Sequence, residues 1–181
     1  MELRDFEIDD LAFYESLVCD PVMMSELGGP RPRGQSEKVR EIVDSVQDGS
    51  VWYFKILTDD APDTPAGSVC IWEHTWNSES INEIGWMVLP AFQGRGLASE
   101  AVRSVLDKAR SEARWDVVHA FPGATNGPSN AICRKMGFSK IEELDYEYAG
   151  RILHGNHWRI DLLATGPDVD RARSPGYNHT P

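Results

Sequence analysis

Several features that would point to particular classes of protein are missing from this 181-residue sequence. The three cysteines, Cys19, Cys70 and Cys133, are widely spaced and form no C-x-x-C pair, so neither a disulfide framework nor a zinc-binding spacing is present. The sequence has no apolar run approaching the roughly 20 residues that cross a bilayer. Its first residues, Met1–Phe6, are acidic and lack the apolar core of a secretory signal peptide. We therefore expect reduced thiols, no membrane partner and a cytoplasmic location.

Basic residues are also scarce. The chain has 18 lysines and arginines against 29 acidic residues, which gives a net charge of −11. Nucleic-acid binding depends on neutralising phosphates with Lys and Arg, so this balance argues against a nucleic-acid partner. It suits a cationic or amine-bearing partner, although simple solubility explains it equally well. The remaining composition, 41% apolar and 26% charged, is that of an ordinary folded domain.

Hydrophobic periodicity predicts two helices, three strands, a helix, a strand, a helix and two final strands. This order predicts a mixed α+β fold with a mostly antiparallel sheet of about six or seven strands flanked by helices, and one parallel crossover over 80–121. Residues 1–165 are expected to form a single domain, with 166–181 as a C-terminal tail. Helices are expected at 8–19, 35–47, 97–113 and 130–136, and strands at 51–57, 67–72, 80–89, 117–121, 138–148 and 152–163.

A glycine-rich turn follows the expected strand 80–89 and opens the helix at Leu97. The first N–H groups of a helix lack partners and carry a partial positive charge, and glycines let the backbone approach a phosphate closely. The segment therefore predicts a site for a phosphate-bearing ligand. The alternative is a tight strand-to-helix connection without a ligand. A P-loop motif is absent, and the surroundings of a dinucleotide fingerprint are missing.

Two motifs carry a family resemblance. The run Gln93-Gly94-Arg95-Gly96-Leu97-Ala98 resembles the Q/R-x-x-G-x-G/A signature of the GNAT acyltransferases. Downstream, Asn126 and Ser129, followed by Gly137-Phe138, are similar to the N-x-x-[AS]…G-F segment of the same superfamily. The Ser129-Asn130 variant most resembles the branch containing ribosomal-protein N-terminal acetyltransferases. The resemblance covers roughly residues 3–164 and implies the GNAT fold, with acetyl-CoA as co-substrate and no metal.

The resemblance also implies where acetyl-CoA lies. The backbone of the strand before the signature is expected to bind the pantetheine arm in the manner of an added strand. The diphosphate is expected on the N–H groups of Gly94 to Ser99. Arg95 either adds charge to the phosphates or is a solvated turn residue. The expected cofactor contacts are Trp86, Met87, Val88, Gln93, Gly94, Arg95, Gly96, Leu97, Ala98, Ser99, Asn126, Ser129 and Cys133.

Glu83 is the candidate catalytic base. An amine is mostly protonated at neutral pH and must lose a proton before it attacks a thioester, and a partly buried carboxylate can accept that proton. Glu83 lies in the strand expected to bind pantetheine, where alternation places it on one face with Gly85 and Met87. The alternative is a structural carboxylate on the sheet face, paired with an arginine.

The leaving thiolate needs a proton donor, and the sequence departs from the family here. Many GNAT members have a tyrosine seven residues after the motif asparagine, and that position is Cys133. In the serine-bearing branch the serine is thought to serve the thiolate, which makes Ser129 the second catalytic candidate. Asn126 would then contact the pantetheine or orient Ser129. Cys133 is expected as a small thiol packed against the cofactor, and a backbone N–H near Met87 or Val88 as the oxyanion donor.

The predicted function is an acetyl-CoA-dependent N-acetyltransferase that acts by direct attack in a ternary complex. The acceptor is a primary amine, either of a small molecule or of a protein N-terminus. One alternative is a CoA-binding module without turnover, and another is transfer of a larger acyl group such as succinyl, with Arg31 and Arg33 as loop cations. His154 and His157 should point to opposite faces of a strand, so no metal is expected. Homodimers are common in the family and are the expected assembly if the chain associates.

Overall fold

The fold is built on one seven-stranded sheet, and the computed structural model describes residues 1–148 and 150–163. The strands are β1 (Glu2–Asp5), β2 (Trp52–Leu57), β3 (Gly67–Trp76), β4 (Glu79–Val88), β5 (Val117–Ala120), β6 (Ser139–Tyr148) and β7 (Arg151–Asp161). The helices are α1 (Leu11–Val18), α2 (Ser36–Gln47), α3 (Leu97–Ser111) and α4 (Gly127–Met136). Short 3-10 turns occur at Ile8–Asp10, Ser25–Leu27 and Pro90–Phe92. The tail expected over 166–181 lies outside the described residues.

The strands are ordered β1-β2-β3-β4-β5-β7-β6, and β4 and β5 form the parallel pair of an otherwise antiparallel sheet. The predicted mixed α+β fold with one parallel crossover is therefore confirmed. Strand β1 was missed by the sequence reasoning. Among the four residues of β1 only Leu3 is partly buried, so the strand shows no alternation of buried and exposed side chains. Pairing with β2 holds it in the sheet. Strand β3 also runs to Trp76, beyond the predicted end at Trp72.

The sheet opens between β4 and β5. In this parallel pair Glu83 lies opposite His119, and β5 ends one residue later, at Ala120. Strand β4 continues to Val88, so Gly85–Val88 is paired with β3 on one side only. Every second backbone N–H and C=O of a strand points toward its neighbour, so this stretch has an unpaired row of donors and acceptors on its β5 side.

Helices cover both faces of the sheet. One apolar cluster packs α3 and α4 against the sheet and includes Val102, Val105 and Leu106, all at most 1% exposed. A second cluster packs α1 and α2 on the opposite face. Alternation along β4 divides its side chains between the two clusters, with Ile84, Trp86 and Val88 toward α3 and Met87 toward α1 and α2. Glu83 shares the face of Met87, so it lies on the side of the sheet that carries the α1–α2 loop.

Candidate active site

A groove of about 1400 Å³ runs along the unpaired side of β4. Its walls are the start of α3, the β5–α4 connection, and the loop between α1 and α2. It brings together most of the site residues expected from the sequence, whereas Arg95 and Cys133 do not line it. The expected residues along the groove are Glu83, Trp86, Met87, Val88, Gln93, Gly94, Gly96, Leu97, Ala98, Ser99, Asn126 and Ser129.

The turn between β4 and α3 depends on its two glycines. Gly94 and Gly96 have φ of 75° and 80°, in the left-handed region that side chains disfavour. Gly96 is the N-cap of α3 and provides no side-chain cap, so the first amides of the helix are available to a ligand in the groove. Gln93 fixes the turn to the end of β4, because its Nε2 donates to the Val88 carbonyl oxygen at 2.9 Å. The turn therefore leaves backbone N–H donors free beside the groove, which is the feature that binds anions at helix N-termini.

Arg95 has a partner outside the groove. Its guanidinium donates to Asp60 Oδ1 at 2.7 Å, and it lies 5.8 Å from the centroid of the Phe92 ring. The same bond lowers the pKa of Asp60 to about 2. Asp60 lies in the β2–β3 connection, so Arg95 ties the glycine turn to that connection.

Asn126 begins helix α4 as its N-cap. Its Oδ1 accepts a hydrogen bond from the backbone N–H of Ser129 at 3.1 Å, which satisfies one of the free amides of the first turn. Pro128, also in that turn, has no N–H to satisfy. This cap fixes the backbone of Ser129 beside the groove, with the serine half-buried.

Asn130 is a positioning residue that the sequence reasoning missed. It is 5% exposed, and its Nδ2 donates to the Gly123 and Asn126 carbonyl oxygens at 2.9 and 2.8 Å. Its Oδ1 accepts from Asn156 Nδ2 at 2.8 Å and from Trp158 Nε1 at 2.9 Å. The buried amide thus has four partners and joins the β5–α4 connection to β7. The sequence signal for this buried role was the presence of a polar residue, Asn130, at a position of α4 that faces the core.

Glu83 is paired with a histidine. His74 Nε2 lies 2.8 Å from Glu83 Oε2, with the two side chains 31% and 19% exposed. Burial raises the pKa of Glu83, and the hydrogen bond to His74 opposes that rise. The same bond raises the pKa of His74. The partner is thus not the arginine considered as the structural alternative, and His74 was overlooked because the predicted β3 ended at Trp72.

Apart from His74, two further ionisable side chains near Glu83, a thiol and a phenol, stay neutral. The Cys70 thiol and the Tyr146 phenol both have a pKa raised to about 12, first by burial and then by the charge of Glu83. Tyr146 donates its hydroxyl to the Phe121 carbonyl oxygen at 2.9 Å. Trp72, which stacks on His74, and Trp76 add aromatic surface to the same part of the groove. A carboxylate in such surroundings is suited to accept a proton.

Cys133 lies in the core rather than in the groove. It is 0% exposed and belongs to the cluster that packs α3 and α4 against the sheet. Burial raises the pKa of its thiol to about 12, which keeps the thiol neutral. The side chain therefore behaves as a small apolar residue of α4.

His154 and His157 lie on opposite faces of β7 and share no site. His154 is exposed and pairs with Asp145 and Glu143, while His157 is buried and its Nε2 lies 2.8 Å from His119 Nδ1. Burial, followed by the charge of His157, lowers the pKa of His119 to about 4. Within 1–148 and 150–163, no three His, Cys, Asp or Glu side chains are grouped to hold a metal. Among the helices of those same residues, none has the length and apolar character to cross a membrane.

The sheet is mixed, has seven strands and opens at its one parallel pair, and a glycine turn leads from β4 into the N-terminus of α3. These features are those of an acyltransferase class of fold. Residues 1–139 match the family model described as the acetyltransferase (GNAT) domain. The chain therefore belongs to the GNAT acetyltransferase family, and the prediction of an N-acetyltransferase is confirmed.

Three comparisons illustrate the relationship. An uncharacterized N-acetyltransferase, YnaD of Bacillus subtilis (strain 168), is 24% identical over 156 residues, 86% of each chain. The spermidine N-acetyltransferase of Vibrio cholerae, solved in complex with CoA and spermine, superimposes with a TM-score of 0.74 at 19% identity, covering 89% of this chain and 95% of the other. A ribosomal-protein-alanine N-acetyltransferase from Brucella melitensis gives a TM-score of 0.72 at 17% identity, covering 89% and 99%. At these identities the structural likeness concerns the fold.

Proposed function

We propose that the protein is an acetyl-CoA-dependent N-acetyltransferase that transfers the acetyl group directly to a primary amine in a ternary complex. One observation supports this most strongly. A single groove joins the glycine turn and first helical amides at Gly94–Ser99, the unpaired backbone of Gly85–Val88 and the half-buried carboxylate of Glu83. Acetyl-CoA has a diphosphate, a peptide-like pantetheine arm and a reactive thioester in the same order.

The cofactor would lie with its diphosphate on the first amides of α3. The pantetheine amides would pair with the free side of Trp86, Met87 and Val88, as an added strand does. In this pose the thioester would point toward Glu83 and Ser129, which both line the groove. We assign no cofactor contact to Cys133, because the core encloses it.

The chain's own groups would then carry the reaction. Glu83 accepts a proton from the ammonium of the acceptor, directly or through a water, and the free amine attacks the thioester carbonyl carbon. A backbone N–H on the open side of Met87 or Val88 stabilises the negative charge on the carbonyl oxygen. The C–S bond breaks as the amide forms, and the Ser129 hydroxyl passes a proton to the leaving thiolate. The serine regains a proton from the former amine nitrogen, which must lose its second proton to become the amide.

Two measurements test the proposal. Calorimetry should show acetyl-CoA binding, and no binding at millimolar cofactor would refute the whole proposal. A thiol-release assay across small amines and peptides with free N-termini should then identify an acceptor. Binding without thiol release for any amine would favour the alternative of a CoA-binding module. Faster turnover with succinyl-CoA than with acetyl-CoA would favour the larger acyl group.

Replacing Ser129 by alanine should lower kcat about 10-fold or more, because general acid catalysis contributes on the order of 10²–10⁴-fold and water can replace part of it. Cys133→Ala, the matched change on the same helix, should leave kcat nearly unchanged and lower the melting temperature, since it opens a small space in the core. Steady-state kinetics with a fixed amine compares the two variants. If Cys133→Ala slows turnover more than Ser129→Ala, the thiol rather than the serine serves the leaving group.

A further inference from the structure

Arg31 lines the groove, and most hydrogen-bond donors of its guanidinium have no partner among the residues that the structure describes. It lies in the α1–α2 loop, where its backbone N–H donates to the Val18 carbonyl oxygen at 2.8 Å, and its side chain is half-buried. Its guanidinium donates to the Tyr148 hydroxyl at 3.2 Å and lies 5.7 Å from the centroid of that ring. A guanidinium has five N–H donors, so most of them are left for another acceptor.

Other basic side chains near Arg31 differ from it because they pair with carboxylates. Lys38, which also lines the groove, is exposed and pairs with Glu41 at 3.0 Å. Arg33, two residues from Arg31 in the same loop, pairs with Glu15 at 3.2 Å, with its side chain 82% exposed and outside the groove. Arg31 has no carboxylate partner among the residues that the structure describes. A half-buried cation without one favours a negatively charged group of a ligand.

Two tyrosines connect Arg31 to the reaction centre. Tyr146 and Tyr148 are alternate residues of β6, so they lie on one face about 7 Å apart. Tyr146 lines the same groove as Glu83, and the Tyr148 hydroxyl accepts a hydrogen bond from Arg31. The groove therefore has the Glu83 carboxylate on the Tyr146 side of this aromatic surface and the Arg31 guanidinium, with donors still unused, on the Tyr148 side.

We propose that Arg31 and Tyr148 form a subsite for an anionic group of the acceptor, so that the substrate is a zwitterionic amine with its nitrogen at Glu83 and a carboxylate at Arg31. This inference rests on the proposed function. It explains why a groove with an acidic reaction centre retains an unpaired guanidinium. The length of the tyrosine surface selects amines whose carboxylate is several bonds from the nitrogen, rather than α-amino acids.

Matched amines test the subsite. Thiol release is measured with pentylamine, 5-aminopentanoate and 1,5-diaminopentane, and with the corresponding eight-carbon set. The wild type should use one aminoalkanoate at least about 10-fold better, in kcat/KM, than the neutral amine of equal length, as expected for charge-assisted hydrogen bonds. Arg31→Gln should bring this ratio close to one, and Arg31→Lys should keep part of it. Arg33→Gln, the matched control, should keep all of it.

A binding measurement separates this inference from the proposed function. Calorimetry of 5-aminopentanoate and 8-aminooctanoate with the CoA-saturated protein should show that the wild type binds at least one of them. Arg31→Gln and Tyr148→Phe should bind that compound at least about 10-fold more weakly, whether or not turnover occurs. Failure of acetyl-CoA to bind contradicts the proposed function. Equal use of neutral and anionic amines, a preference for the diamine, or an unchanged ratio in a folded Arg31→Gln overturns the subsite.

Discussion

Replacing Glu83 by glutamine should lower kcat/KM for the amine by about 100-fold or more, while the affinity for acetyl-CoA stays near that of the wild type. Glutamine keeps the size and the hydrogen bonding of the side chain but cannot accept the ammonium proton, and general base catalysis contributes on the order of 10²–10⁴-fold. The carboxylate lies on the face of β4 that carries the α1–α2 loop, so its loss does not touch the turn at Gly94 and Gly96. Steady-state kinetics and calorimetry measure the two quantities separately.

Glu79→Gln is the matched control. Glu79 belongs to the same strand and the same alternation as Glu83, but it is exposed and does not line the groove. It should leave both quantities unchanged. An unaltered rate in Glu83→Gln would remove Glu83 as the base.

The pH dependence provides a second test of the same residue. A base must be deprotonated, and burial raises the pKa of Glu83, so kcat/KM should rise with pH through a limb that lies above the ordinary glutamate range near 4.3. The hydrogen bond from His74 counteracts this rise, because it favours the charged carboxylate. His74→Gln should therefore move the limb to higher pH. A limb that does not move would show that the pair at 2.8 Å does not control the proton acceptor.

Replacing Asn130 by alanine should destabilise the protein by about 3 kcal/mol or more. The change leaves the side-chain donors of Asn156 and Trp158 without their acceptor, and each buried unsatisfied group costs about 1–3 kcal/mol. The Gly123 and Asn126 carbonyl oxygens lose one bond each but still accept the backbone N–H groups of Asn126 and Asn130. Asn130 also holds the Gly123–Asn126 connection, so we expect lower turnover in the fraction that remains folded. Urea denaturation at fixed temperature measures the free energy of unfolding.

Two control variants show how large the loss of stability in Asn130→Ala is by comparison. Asn156→Ala removes one of the four bonds and leaves Asn130 Oδ1 with the Trp158 N–H, so it should cost less. Lys135→Ala changes an exposed residue of α4 and should lie within about 0.5 kcal/mol of the wild type. A loss for Asn130→Ala no larger than that for Lys135→Ala would contradict the structural role of the amide.

The sequence reasoning succeeded where the signal is local. The turn at Gly94 and Gly96 was predicted because a chain reversal and a helix start are encoded by neighbouring residues, and the strand 80–89 by its own apolar pattern. The four-residue β1 was not predicted, because it has one partly buried side chain and therefore no local pattern. It is a strand because it pairs with β2.

The partners in the site are long-range, and this is why they were not predicted. His74 reaches Glu83 because β3 and β4 pair in one particular register, and nine positions of sequence separation do not reveal it. Arg31 meets Tyr148 across 117 positions. Arg95 lies in a family motif, but its partner Asp60 in the β2–β3 connection could be found only from the fold. Residue types at a site follow from motifs, whereas pairings follow from topology.

The opening beside β4 divides the sheet into two mechanical parts. Strands β1 to β4 form one part and β5 to β7 the other, with the short parallel contact at Glu83 and His119 between them. Beyond that contact the two parts are held at a distance by the helices rather than by backbone pairing. A ligand paired with the backbone of Gly85–Val88 would contact both parts of the sheet at once and connect them. We therefore expect a ligand in the groove to restrain movement of the two parts against each other, and Glu83 lies at the point where they meet.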